Sequence, residues 1–141
     1  MNKKTLGRTG IDVSELCYGS LILGPLQADL SPKEGAKTVR RALELGVNFI
    51  DTAKTYKTHE HVRLGMDGFK DTVIATKSPV KTAIEMRADV ETCLRELDRE
   101  TIDIFHLHFV RSTEDMRLRE DALNVLVQCK EAGMIRAIGI S

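Results

Sequence analysis

The sequence predicts an α/β fold built on a parallel sheet, and three observations support that expectation. Short apolar strands alternate with helical stretches of about ten residues or more, the beat that βαβ crossovers produce. Two of the helical stretches open on capping boxes and two close at a glycine. Polar, chemically active residue types recur where the strands end, which is where parallel α/β folds assemble their sites. An open doubly wound sheet and a (β/α)8 barrel both fit this alternation. The open form would want a glycine-rich turn after the first strand, and "YGSLILG" contains no GxGxxG.

The elements follow in order. "KTLGRTG" turns at Arg8-Thr9-Gly10 and returns as "IDVSEL", a hairpin suited to capping the bottom of a barrel. Leu16–Gly19 is the first apolar strand, followed by a loop through Gly24-Pro25. Ser31, Pro32 and Glu34 open a helix with a capping box; Ala36, Val39, Ala42 and Leu43 form its apolar stripe, and Gly46 ends it. Val47–Ile50 is the second strand and His59–Gly65 a second helix, with Glu60 placed for the positive end of its dipole. Thr72–Ala75 is a third strand, ending at Thr76-Lys77, and Thr82 with Glu85 opens a helix running to about Leu97. Ile102–Leu107, a helix from about Arg119 to Ala132, and Ile135–Ile140 complete the series.

Ser20, Asp51, Lys77, His108 and Ser141 therefore stand just past successive strands, on one rim, with Tyr56 on the loop above. A single Asp or Lys at such a place is ordinarily a solvated or paired loop residue. Together they describe a chemistry. A free tyrosine, with a pKa of about 10, is a poor acid at neutral pH, and a neighbouring ammonium stabilises its phenolate. Lys77 can supply that charge, and Asp51 can orient Lys77. A neutral His108 can donate a hydrogen bond to a substrate oxygen. The set suits protonation of a carbonyl oxygen as charge builds on it, half of a carbonyl reduction; the hydride must come from a cofactor. His106 lies inside its strand and reads as a structural or supporting histidine.

Composition narrows the rest. At 141 residues the chain has the length of one domain. Lys+Arg 21 balance Asp+Glu 21, so no basic surplus invites nucleic acid. No apolar run reaches a membrane span, and Met1-Asn2-Lys3-Lys4 is followed by no apolar secretory segment; the chain reads as cytoplasmic. Cys17, Cys93 and Cys129 are far apart and read as reduced thiols, with no metal expected.

On these motifs the chain resembles the first part of an aldo-keto reductase, over essentially its whole length. "LGRTGIDVSELCYGS" is similar to that family's hairpin and first strand and "GVNFIDTAKTY" to its Asp–Tyr signature. "VIATKS" is similar to its lysine strand, "IDIFHLH" to its histidine strand and "AGMIRAIGIS" to its fifth strand. The resemblance implies a (β/α)8 barrel, present here as the hairpin, five strands and four helices, in a single incomplete domain. It implies NADP(H), and a tetrad carried by Asp51, Tyr56, Lys77 and His108, with Tyr56 as proton donor. Cofactor contacts would fall on Ser20, Asp51 and Ser141. Lys57 stands where glycine commonly follows the tyrosine, and "TKSPVKTAIEMRADVE" resembles a microbial subgroup whose longer members carry a ferredoxin-like extension. Most of the cofactor site would then lie beyond residue 141, and the chain reads as a truncated form whose exposed strand edges invite self-association. Two other readings stay open: a non-catalytic interaction module of the same fold, and a metal-dependent barrel hydrolase built on His106-Leu107-His108.

Overall fold

The computed structural model describes residues 1–141 in full. Strands β1 (Lys3–Thr5) and β2 (Asp12–Ser14) form the antiparallel opening hairpin. Five further strands make one parallel sheet in chain order: β3 (Cys17–Gly19), β4 (Phe49–Asp51), β5 (Val73–Ser78), β6 (Ile102–Leu107) and β7 (Ile135–Ile140). That order decides between the two architectures. A doubly wound sheet reverses its strand order at a switch point, whereas a barrel wall adds each strand beside the last. The sheet is a segment of barrel wall, with β3 and β7 each leaving one edge unpaired.

Helices α1 (Pro32–Glu44), α2 (His59–Gly65), α3 (Ala83–Leu97), α4 (Thr113–Arg117) and α5 (Glu120–Glu131) are the remaining regular elements, apart from two 3-10 turns. Ser31 caps α1 as its motif predicts: its hydroxyl accepts from the Glu34 N–H, and the Glu34 carboxylate accepts from the Ser31 N–H. One helix from Arg119 to Ala132 was the expectation. Five helices rather than four form because Ser112 accepts the Asp115 N–H at 3.0 Å and starts an extra turn. The chain then breaks at Arg119, whose buried guanidinium leaves the helix axis to reach Asp115 and the carbonyl of Pro79.

Several strand boundaries also differ from the sequence reading, and two of the differences have a clear cause. β5 continues through Lys77 and Ser78, which pair with His106 and Leu107. Ladder hydrogen bonds ignore side-chain polarity, so a strand can run past the end of its apolar stretch where its inner face turns polar. β4 starts later than Val47, because Asn48 serves the hairpin: its side-chain oxygen accepts from Ser14 N at 2.6 Å and its amide donates to Asp12 O at 3.0 Å.

Alternation of side chains across the strands sorts the core into layers. Outside the wall, Phe105 and Leu107 pack on Met86 and Val90 of α3 and on Leu126 of α5. Ile50 and Ile74 pack on Val39 and Leu43 of α1 and Val62 of α2. Inside, Ile11 and Val13 of the hairpin lie under Val73, Ala75, Ile104 and Ala137, so the hairpin closes the bottom of the wall. His59 and His61, read from sequence only as helix-start residues, are buried anchors. His59 bridges Glu96 and Thr76, and His61 meets the Leu30 carbonyl.

Helix α2 can approach α1 this closely only because position 65 is glycine. A Cβ there would lie 2.5 Å from the Val39 Cβ and 2.9 Å from the Ala36 carbonyl oxygen. Gly65→Ala should therefore lower the unfolding free energy by about 1–3 kcal/mol, the usual cost of overpacking, measured by urea denaturation.

Candidate active site

The upper end of the wall's inner face is polar. Gly19, Asp51 and Ala75 share one register position across β3, β4 and β5. Lys77 lies two residues further along β5, on the same face, and its side chain leans back towards β4. Its Nζ donates to Asp51 Oδ2 at 2.6 Å, to the Thr52 carbonyl at 2.8 Å and to the Tyr56 hydroxyl at 3.4 Å. An ammonium has three N–H donors, and these three acceptors account for all of them. The side chain is 8% exposed, so this complete set of partners is what allows the charge to be buried. Asp51 is more open, and its second oxygen is left for another donor.

Tyr56 ends a 3-10 turn (Lys54–Tyr56) that rises from β4, and its ring lies 4.9 Å from the Lys77 ammonium. Two features hold this turn. Thr58 is fully buried, its hydroxyl 2.8 Å from that of Ser20 and 3.1 Å from that of Thr52. Gly24 runs directly against the Tyr56 carbonyl, where any Cβ would collide. Lys57 adopts a left-handed φ of 57° to end the turn.

His108 follows β6, buried, with its ring edge against Tyr56 at 6.0 Å between centroids and its face stacked on Phe109 at 3.7 Å. Burial, then the Lys77 ammonium, hold its pKa down at about 4. It is thus a neutral imidazole at physiological pH, with a buried Nδ1 that has no partner within the protein. His106 points into the same interior. Its ring lies over Gly139, where no side chain would fit, and burial lowers its pKa too.

Asp51, Tyr56, Lys77 and His108 are thus brought together. Asp51 and Lys77 belong to their strands rather than following them. Ser20 has a different setting from the one expected. It is fully buried, its hydroxyl faces Thr58, and its N–H donates to the Asp51 carbonyl. Ser141 stands next to β6, its N–H donating to the Leu107 carbonyl at 3.0 Å. His106 and His108 belong to no cluster of three or more potential metal ligands. Sequence reasoning missed Thr52 and Thr58; a threonine on each side of the signature tyrosine was the available signal.

The model of the aldo/keto reductase family matches residues 15–141. The chain belongs to the aldo-keto reductase family. Among its relatives, an L-galactose dehydrogenase of Arabidopsis thaliana is 27% identical over 98% of this chain and 47% of its own length. A methylglyoxal reductase of Yersinia pestis is 32% identical over 84% of this chain and 43% of its own. An aldo-keto reductase structure from Bacillus halodurans, solved in its holo form, superposes with a TM-score of 0.84 at 27% identity, covering all of this chain and 50% of that one. The chain therefore spans about half the length of these aldo-keto reductases.

The His108 environment makes a pH prediction. An unfolded histidine takes up its proton near pH 6.5, and folded His108 only near 4. Between those values the unfolded state binds more protons, so this group's contribution to stability is complete above about 6.5 and is lost as pH falls towards 4. Imidazole NMR should find a His108 midpoint near 4, and Lys77→Met should move it upward by removing the neighbouring positive charge.

Proposed function

We propose that this chain carries the proton-donating part of a carbonyl reductase site, reducing an aldehyde or ketone to an alcohol with NADP(H) as hydride donor. The observation that carries this reading is the Lys77 ammonium held between Asp51 Oδ2 at 2.6 Å and the Tyr56 hydroxyl at 3.4 Å. When bound, NADPH would supply the hydride for the carbonyl carbon. The proton for the carbonyl oxygen comes from the Tyr56 hydroxyl, and the phenolate left behind is stabilised by Lys77. Neutral His108, beside the phenol, offers its imidazole to the same oxygen and orients the substrate. Asp51 fixes Lys77 and keeps one oxygen for a ribose hydroxyl of the cofactor, with Ser141 as a further contact; Ser20 supports the turn through Thr58. The donor set fits such a cofactor: an open, half-exposed carboxylate and a terminal hydroxyl stand on the same polar rim.

A second reading takes the same fold as an interaction module. The chain spans 47% of the L-galactose dehydrogenase it resembles, and both sheet edges are open. As a non-catalytic half-barrel it would use those edges for partners or for a second copy. Cofactor turnover separates the two readings.

Tyr56→Phe should lower NADPH-dependent reduction of short aldehydes, followed at 340 nm, by about 10²–10⁴-fold, the usual share of general-acid catalysis. NADPH affinity by calorimetry should stay essentially unchanged. Reduction that survives the substitution refutes Tyr56 as donor, and an unsubstituted chain that never oxidises NADPH favours the non-catalytic reading.

A further inference from the structure

The contact between Tyr56 and Lys77 joins two different elements, a surface turn and a sheet strand, and it is the longest of the three that Lys77 makes. Neither residue fixes that distance alone. One carboxylate outside the wall reaches both parts. Asp89 sits in α3, on the far side of β5 from the barrel interior, and its side chain is 15% exposed. Its Oδ1 accepts from Lys54 Nζ at 2.7 Å, and its Oδ2 accepts from the Ser78 hydroxyl at 2.5 Å. Lys54 begins the 3-10 turn that ends at Tyr56, and Ser78 is the residue after Lys77.

We propose that Asp89 is a positioning residue that clamps the Tyr56 turn to the Lys77 strand end, holding phenol and ammonium in register from outside the barrel wall. The inference rests on the reading of Tyr56 as proton donor. Its chemistry is that of a bridging carboxylate: each oxygen takes one donor, so a shift of either element costs a hydrogen bond. The Lys54 contact is half sheltered from solvent, which limits screening by salt. Burial alone would lower the Lys54 pKa, yet the neighbouring acids, Asp89 foremost, more than offset it and the ammonium is held charged. Thr58 and Gly24 locate the base of the turn on the β3 side, and His59, three residues past Tyr56, ties the chain beyond it to Thr76 of β5 and Glu96 of α3. Asp89 ties the first residue of the turn to the residue that follows Lys77.

A stabilising ion pair without any positioning role would change unfolding but leave the tyrosine where it is. The chain has 2 tyrosines, so ring-labelled [13Cζ]tyrosine gives one resonance for Tyr18 and one for Tyr56, assigned with Tyr56→Phe. Lys54→Met and Asp89→Asn should each displace or broaden the Tyr56 resonance and leave that of Tyr18 in place. Asp89→Glu should restore it in part, and the Lys54→Met/Asp89→Asn double variant should do no more than either single one. In carbonyl reduction, kcat should fall about tenfold or more with KM nearly constant, since alignment and not binding is lost. An unmoved Tyr56 resonance in both single variants overturns the clamp, whatever happens to the unfolding midpoint. Lys54→Met, at a partly exposed position, carries the test should Asp89→Asn fail to fold. If Tyr56→Phe itself keeps full reduction, the donor reading fails, and the resonance shifts still decide whether Asp89 holds the turn.

Discussion

One buried ammonium organises the upper end of this molecule. Removing Lys77 from water costs several kcal/mol, and only a complete set of well-placed acceptors offsets such a cost. Those acceptors come from two neighbouring strands and the turn above them: the Asp51 carboxylate, the Thr52 carbonyl and the Tyr56 hydroxyl. The parallel register of β4 and β5 brings the first two within reach, and the 3-10 turn brings the third. The same charge bears on His108, whose neutrality follows from burial reinforced by Lys77.

The lower end obeys the opposite rule. There the inner face is apolar, and Ile11 and Val13 of the hairpin fill it beneath Val73, Ala75, Ile104 and Ala137. Polar groups at that end are register pins, each with its partners. Asp103 accepts from Ile74 N at 2.9 Å and from Arg136 at 2.6 Å, tying β5, β6 and β7 together. Asn48 ties the hairpin to the start of β4. A fixed bottom and a charged top leave the rim as the face where side chains from several strands meet.

Much of this was legible in the sequence, for physical reasons. Helix α1 was readable because Ser31, Pro32 and Glu34 carry a local capping signal that needs no tertiary context. The barrel order was not readable from alternation alone, since βαβ units build open sheets equally well; it took the resemblance, and then the strand order. The meeting of Asp51, Lys77 and His108 on one rim was readable because each stands near the end of an apolar run, with Tyr56 on the loop that follows Asp51. The continuation of β5 through Lys77 was hidden, because pairing with His106 is a tertiary fact. So was the burial of Ser20, His59 and His61, whose partners lie 38, 37 and 31 residues away in Thr58, Glu96 and Leu30. Asp89 gave no signal at all: on a helix with other charged residues it looks like a solvated position.

The proposed role of the Lys77–Asp51 pair implies that it is kept for chemistry and not for stability. The most direct measurement is the unfolding free energy of the Asp51→Asn/Lys77→Met double variant by urea denaturation, beside its carbonyl reduction. Replacing a buried ion pair with well-packed apolar residues of similar volume is often neutral or stabilising, and this double variant leaves neither charge without its partner. The account predicts a chain at least as stable as the original that no longer reduces carbonyls. A loss of several kcal/mol, or reduction that persists, would contradict it.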